Sequence, residues 1–377
     1  MGTTTRGLTK RPLTEEELSS QVLKLVGPNA PKKLKAMVAK GMAPGLGGLD
    51  LVTALYQLTV SDDASLAKGA GQSLAELPDS VLTAAVVSNE LHELVLDSLA
   101  HVVVGRPKFV EKIILNSAVA DETLVAITPK MSEPELEILA RNERRLLAHP
   151  PIIEALYVNP HTRMSTANKC IELAVRNKLE LNLPAYREMV KAIGMEKKEE
   201  DPLDQALLEE ERNLKFKSAY EGVGEKDAEQ AEGEGEDEDS EKSKGQLNVE
   251  SLTVPEKIRL ATMGNVFHRS LLLRDSNKMV AMAAIKSPLV TEMEVVRMSK
   301  NTQTPEDVLR YIARQREWVK LYQVKANLTS NAKTPLDLAL KLVSHLRQKE
   351  LKTLSRSKSI SAALRNAAVA RLKKTNR

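Results

Sequence analysis

Cysteine and aromatic residues are scarce in this 377-residue chain, and their scarcity excludes several classes of protein. The single cysteine, Cys170, leaves no internal disulfide framework and no cysteine-rich zinc site. Aromatic residues make up 3% of the sequence, too few for the strands of a typical β-sandwich or barrel. The six histidines are scattered, with no two at the spacing of metal ligands. We therefore expect a core of Leu, Ala, Val, Ile and Met, a composition typical of helical proteins.

Long hydrophobic runs are also missing. No apolar stretch approaches the roughly 20 residues that a membrane-spanning helix needs. The polar start, Met1 to Arg6, lacks the apolar core of a secretory signal. The sequence accordingly predicts a cytoplasmic protein without a transmembrane segment, and the single free cysteine agrees with a reducing compartment.

Charge is distributed unevenly along the chain. Residues 1–194 carry 22 basic and 22 acidic residues, residues 195–250 carry 8 and 20, and residues 251–377 carry 25 and 9. The acidic run between Glu221 and Leu247 has too few apolar residues to bury a core, which predicts disorder. We therefore expect an N-terminal helical repeat domain over 1–194, a helix and then a disordered acidic linker over 195–250, and a basic C-terminal helical repeat domain over 251–377.

A recurring unit of helix, turn and helix is visible once the helix start signals are aligned. An apolar helix ends before Asn159 and before Asn331, and a threonine follows each asparagine three residues later. Serines take the same place in three further segments, at Ser88, Ser117 and Ser287. The distances from Ser88 to Ser117, from Ser117 to Asn159 and from Ser287 to Asn331 are 29, 42 and 44 residues. The last two lie within the range of about 40–47 for two-helix repeats.

These units, together with the stretch ALYQLTVSDDASLAKGAGQSLAELP that begins at Ala54, resemble bacterial HEAT-like repeats, with leucine-rich-repeat-variant proteins a close second. The resemblance covers most of residues 45–177 and 255–345. It implies an all-α fold, a HEAT-like α-solenoid, and it implies no particular chemistry. Together with the charge pattern, this predicts a solenoid in two helical segments with a disordered acidic insert between them. The alternative is an irregular helical bundle whose units look alike because helix caps look alike.

No catalytic constellation emerges from the candidate residues. Cys170 lies inside an amphipathic helix with no base that the sequence places beside it, which favours a small buried side chain over a catalytic thiol. Trp318 and Tyr322 are four residues apart, a spacing that puts both on one helix face. HEAT-like alkylpurine DNA glycosylases use Trp, Tyr and Asp to hold a damaged base, but no aspartate is placed beside this pair. We therefore expect a chain that is not an enzyme and that holds no cofactor or metal.

The C-terminal segment is the most unusual part of the sequence. Residues 341–377 contain 11 Lys and Arg residues and a single acid, Glu350. A basic helix of this kind can bind phosphate, an anionic membrane or an acidic protein, and its weak apolar stripe disfavours the membrane. The alternative is a capping repeat whose cationic outer face is only solvated. The candidate binding residues are Arg347, Lys349, Lys352, Arg356, Lys358, Arg365 and Arg371.

Three functional hypotheses follow from these features. The first is a non-catalytic scaffold or adaptor of the bacterial cytoplasm that binds a protein partner. The second is a nucleic-acid-associated protein that uses the basic domain over 251–377. The third is a DNA-repair-type enzyme on the same fold, which the low aromatic content disfavours relative to the first. The sequence leaves the oligomeric state and the identity of any partner open.

Overall fold

A computed structural model describes residues 8–195, 202–221, 249 and 251–375. These residues form α-helices joined by short turns, with 3-10 turns at Glu15–Glu17 and Thr128–Lys130 and no β-strand among them. The prediction of an all-α fold is confirmed. Most of the acidic run between Glu221 and Leu247 lies outside the described residues, so the disordered linker stays a prediction.

The chain divides into two compact units between Leu181 and Asn182. The helices of the first unit are α1 Ser20–Val26, α2 Lys32–Val38, α3 Gly48–Thr59, α4 Ala64–Ala75, α5 Asp79–Val87, α6 Glu93–Val103, α7 Pro107–Leu115, α8 Asp121–Ile127, α9 Glu133–Ala140, α10 Glu143–Ala148, α11 Pro151–Val158 and α12 Met164–Arg176. The helices of the second unit are α13 Tyr186–Met195, α14 Pro202–Glu221, α15 Val254–Met263, α16 Val266–Leu272, α17 Lys278–Lys286, α18 Glu292–Lys300, α19 Glu306–Arg314, α20 Arg316–Lys320, α21 Tyr322–Ser330, α22 Leu336–Val343, α23 Gln348–Arg356 and α24 Ala362–Thr375.

The boundary between the units lies earlier than residue 194, where charge composition places it. α13 belongs to the second unit because it contacts α15 and α17, and Glu188 pairs with Lys286 at 2.7 Å. In sequence, the acidic run follows α14 and precedes α15, and both of these helices belong to the second unit. Charge composition does not reveal this boundary, since the packing of α13 decides it.

Two predicted helix starts are shifted by one residue. The sequence suggests Thr304 and Thr334 as N-caps, but Pro305 and Pro335 hold the N-cap positions. Thr304 is buried instead, and its hydroxyl donates to the carbonyl of Met298 at 2.8 Å. A threonine at this place faces the core and closes the turn. The local sequence pattern is the same for such a threonine and for an N-cap threonine, so it does not distinguish the two.

Alternate helices contact one another, so that the helices of the first unit form two rows. In the first row α3 contacts α5, α5 contacts α7 and α7 contacts α9. In the second row α6 contacts α8 and α8 contacts α11. Every residue from Leu94 to Ala100 in α6 is buried, which places this helix inside the unit. The second unit repeats the pattern, with α15 against α17 and α18 against α21.

A buried asparagine ties the ends of neighbouring helices in one row together. Asn116, which ends α7, donates through Nδ2 to the carbonyls of Val86 and Ser88 at the end of α5, at 2.8 and 3.0 Å. Its Oδ1 accepts from the backbone N–H of Ala118 at 2.8 Å. These three hydrogen bonds satisfy main-chain groups that the ends of helices leave without an intrahelical partner.

Asn159 and Asn331 make the same kind of contact, which supports their alignment in the sequence. Asn159 donates to the carbonyl of Thr128 at 2.7 Å. Asn331 donates to the carbonyls of Ser299 and Asn301 at 3.2 and 3.0 Å. The three residues of this kind are called the turn asparagines: Asn116, Asn159 and Asn331.

The spacing of these contacts agrees with the 29 residues between Ser88 and Ser117 and differs from the longer spacings of 42 and 44 residues. A turn asparagine reaches carbonyls 28–32 residues earlier in the chain, so one helix pair takes about 30 residues. Each of the spacings of 42 and 44 residues separates the end of a helix in one row from the end of a helix in the other row. Such a spacing covers one and a half helix pairs. Ser117 is exposed, and its neighbour Asn116 makes the contact that the sequence alignment gives to Ser117.

A buried ion pair links α16 and α18 in the second unit. The Arg269 guanidinium contacts both carboxylate oxygens of Glu294, at 2.8 and 3.1 Å, and donates to the carbonyl of Gly264 at 2.6 Å. Glu294 also accepts from the backbone N–H of Thr291 at 2.8 Å as part of a capping box. Both charges are buried and hydrogen-bonded, the condition under which a buried pair is tolerated.

The imidazole of His268 connects α16 with α14. Its Nε2 lies 2.9 Å from the carbonyl of Ala219, and its Nδ1 accepts from the backbone N–H of Asn265 at 3.2 Å. These two contacts together require a neutral ring with its proton on Nε2. Burial lowers the pKa of His268, which agrees with the neutral form.

Acidification is expected to weaken the second unit through His268. The unfolded chain takes up a proton at this position below about pH 6.5, whereas the folded protein resists protonation until a lower pH. The contribution of His268 to the free energy of unfolding is therefore fully present above about pH 6.5, and it decreases as the pH drops below that value. Urea unfolding at several pH values checks this, and His268→Gln should show a weaker pH dependence. His345→Gln, at an exposed histidine, should keep the wild-type dependence.

Candidate anion-binding surface

Three basic side chains share one face of α23. Lys349, Lys352 and Arg356 are three and four residues apart, a spacing that places them on the same side of the helix. All three are exposed, whereas Leu351 and Leu354 on the opposite side are buried. We call Lys349, Lys352 and Arg356 the basic face.

An apolar cluster shared by α22, α23 and α24 holds the basic face in place. Its buried members are Ala339, Val343, Leu346, Leu351, Leu354, Ile360, Leu364 and Ala368. Removing these side chains from water fixes the orientation of α23, because rotating the helix would expose its two leucines. The charged side of the helix consequently stays toward solvent.

Arg347, at the N-cap of α23, is engaged with Tyr322. Its guanidinium carbon lies 4.3 Å from the centre of the tyrosine ring, and its backbone N–H donates to the tyrosine hydroxyl at 2.9 Å. Burial raises the pKa of Tyr322, so the phenol stays protonated near neutral pH. Tyr322 thus positions the start of α23, a role that the sequence does not reveal.

The remaining candidate residues do not join the basic face. Arg365 is half-buried and donates to the carbonyls of Ser357 and Ile360 at 3.3 and 2.8 Å, which closes the turn before α24. Arg371 donates to the carbonyl of Ser344 at 3.3 Å. Lys358 is exposed in the turn after α23. The structure therefore divides the seven predicted residues into three that share a face and four that lie elsewhere.

Acidic residues are scarce in the part of the sequence that carries the basic face. Glu350 is the single acid between residues 341 and 375, and it faces the hydroxyl of Tyr322. Among the residues that the structure describes, no ion pair involves Lys349, Lys352 or Arg356. The surface is therefore available to an external anion.

The residues considered as candidates for catalysis lie apart from one another in the structure. Trp318 lies on α20 and Tyr322 begins α21, with the extended residue Leu321 between the two helices. The expectation that the two aromatic residues share one helix face is therefore wrong. Trp318 instead packs edge-on against Tyr311, with ring centres 5.9 Å apart. Cys170 is buried in α12, as the sequence predicts.

A cavity of about 560 Å³ lies between the turn after Asn331 and the start of α24. Its apolar wall includes Leu336 and Leu364, and Glu306 and Lys333 are its charged residues. The described part of the chain contains no group of three or more side chains that could hold a metal ion.

The chain matches no protein-family model and no curated protein. Within the described ranges, no helix combines the length and the apolar character needed to cross a membrane. The basic face presents three exposed cations on one side of a single helix.

Proposed function

We propose that this chain is a non-catalytic scaffold of the cytoplasm, built as a HEAT-like α-solenoid, that binds an acidic partner protein through the basic face. Two observations support the solenoid: alternate helices contact one another in rows, and the turn asparagines link turns about 30 residues apart. Repeats of this kind contact their neighbours in sequence and present an extended surface to partners.

The observation that carries the proposal is the uncompensated charge of α23. Three exposed cations lie on one side of a helix whose other side is buried, and residues 341–375 hold one acid in total. A rigid row of charges of one sign attracts a surface of the opposite sign and sets the orientation in which it docks. A scaffold function needs no more chemistry than this.

Reversing the charges of the basic face is expected to weaken the binding of an acidic polypeptide. In the full-length chain, Lys349→Glu, Lys352→Glu and Arg356→Glu together should lower the affinity for labelled poly-glutamate by about tenfold or more at low salt, since each exposed ion pair contributes up to about 1 kcal/mol. Fluorescence anisotropy at two salt concentrations measures the effect, and the difference should shrink as salt rises.

A matched control separates the basic face from net charge. Lys32, Lys33 and Lys40 are exposed residues of the first unit, and replacing all three with Glu changes the total charge by the same amount. This variant should keep most of the wild-type affinity. An equal loss in the two triple variants would mean that net charge, and not the basic face, determines binding.

A nucleic acid is the second candidate partner, because the same face presents Lys and Arg to phosphates. In this case duplex DNA should bind with an affinity that falls steeply with salt, and each lost contact should reduce the slope by about 0.9. Binding of DNA with that salt dependence, without binding of poly-glutamate, would replace the scaffold by a nucleic-acid-associated protein. The opposite result would support the acidic protein.

A further inference from the structure

The first described residues form an extended arm that lies on α3. We call residues 8–14 the arm, and they contain no helix or strand. Leu13 donates its backbone N–H to Oε1 of Gln57 at 2.8 Å, and its carbonyl accepts from Nε2 of Gln57 at 3.2 Å. Tyr56 donates through its hydroxyl to the carbonyl of Arg11 at 2.9 Å. α3 therefore binds the main chain of the arm, and every residue type except proline presents these groups.

Two side chains of the arm add selectivity. Leu13 is 4% exposed, while Pro12 and Thr14 on either side of it are exposed. The guanidinium of Arg11 contacts both carboxylate oxygens of Glu17, at 2.7 and 2.8 Å. The two side chains that make contacts, Arg11 and Leu13, are thus two residues apart, as expected for an extended segment, in which alternate side chains lie on the same side. A segment that fits these contacts therefore has a leucine and a basic residue two positions before it.

The chain that follows the arm has its own attachments. Leu18 is buried, and the hydroxyl of Ser19 donates to Asp50 at 2.7 Å. Oε1 of Glu17 also lies 3.3 Å from Nε2 of His92. Residues 17–19 therefore stay in place when the arm leaves α3, and the carboxylate that holds Arg11 stays with them.

We propose that Tyr56 and Gln57 form a binding site for an extended segment of a partner protein that carries a basic residue two positions before a leucine, and that the arm occupies this site in cis. Tyr56 is fully buried, so its hydroxyl has to find a new acceptor when the arm leaves. An incoming main chain supplies that acceptor and the pair of groups that Gln57 requires. The site lies in the first unit and does not depend on the function proposed for the basic face.

The arm controls access to this site. A tethered segment competes at an effective concentration on the order of millimolar, so a free peptide binds weakly to the wild-type chain. Substitutions that weaken the contacts of the arm with α3, without removing the arm, make the site accessible to a free peptide. The full-length variant Arg11→Ala/Leu13→Ala does this, because it removes both side chains that the site selects and leaves α3 unchanged.

The test uses the heptapeptide LTKRPLT, the sequence of the arm, with fluorescein at its N-terminus. Fluorescence anisotropy should show that this peptide binds the Arg11→Ala/Leu13→Ala chain at least about tenfold more tightly than the wild-type chain. Adding Gln57→Ala should lower the affinity about tenfold, and so should replacing the leucine of the peptide by alanine. Binding that Gln57→Ala leaves unchanged would overturn the proposal.

A second measurement keeps the proposal testable if the variants lose their helical circular dichroism. In the unaltered full-length chain, millimolar unlabelled heptapeptide should displace the arm and speed hydrogen exchange at the backbone amide of Leu13. The peptide with alanine in place of leucine should leave that exchange rate unchanged. An exchange rate that the first peptide does not alter, or that both peptides alter equally, would overturn the proposal.

Discussion

Replacing Glu294 with alanine is expected to lower the free energy of unfolding by about 3–5 kcal/mol. In the native protein its carboxylate meets the Arg269 guanidinium in a two-point contact inside the second unit, and both side chains are buried. The variant leaves the Arg269 charge buried without its partner, and this desolvated charge accounts for most of the loss. Urea unfolding of the full-length chain measures the effect, and hydrogen exchange across α16 and α18 assigns it to the second unit.

A surface pair of the same chemistry provides the control. Glu306 pairs with Arg310 on α19, where the two side chains are 56% and 40% exposed. Glu306→Ala should cost less than about 1 kcal/mol, because water solvates both groups in either state. Arg269→Met tests the other half of the buried pair and should also be strongly destabilising, since it leaves Glu294 unpaired. Similar losses for Glu294→Ala and Glu306→Ala would show that burial does not decide the cost.

The helical class could be predicted from composition, and the relation between two distant turns could be predicted from pattern. A core of aliphatic residues with few aromatics indicated helices, and the described residues contain no strand. The alignment of Asn159 with Asn331 rested on a helix that ends before each of them, and both residues donate to a main-chain carbonyl about 30 residues earlier. Local patterns succeeded here because the ends of helices need the same main-chain partners wherever they occur.

Properties set by contacts between distant residues could not be predicted in this way. Two of the three repeat spacings, 42 and 44 residues, are too long because turns from the two rows look alike in sequence, and only the contacts show which row a helix joins. The register at Ser117 was off by one residue because Asn and Ser both suit a turn. The break at Leu321, which separates Trp318 from Tyr322, carries no proline or glycine to mark it.

At the candidate site, too, features of the local sequence could be predicted and contacts between distant residues could not. The high density of basic residues after residue 341 was evident from the sequence, and three of them do share the exposed side of α23. The role of Arg365 was not evident, because a guanidinium that binds main-chain carbonyls has the same sequence signature as one that faces solvent. Gln57 and Tyr56 were missed for the same reason, since their partners lie more than 40 residues away.

Loss of the carboxamide at Asn116 is the sharpest test of the repeat register. Asn116→Ala leaves the carbonyls of Val86 and Ser88 and the N–H of Ala118 without their partner. An unsatisfied buried polar group costs about 1–3 kcal/mol, and part of this site is open to water, so we expect a total loss of about 2–4 kcal/mol. Ser117→Ala, one residue further on at an exposed position, should change stability by less than about 0.5 kcal/mol.

The second unit offers the same comparison independently. Asn331 donates to two carbonyls of an earlier turn, and its exposed neighbour Ser330 serves as the control. If the turn asparagines have one structural role, Asn331→Ala should cost about as much as Asn116→Ala, and Ser330→Ala should be nearly neutral. Hydrogen exchange should localise each loss to the unit that carries the substitution. A Ser117→Ala loss as large as that of Asn116→Ala would restore the sequence register and contradict the role of Asn116 as a turn asparagine.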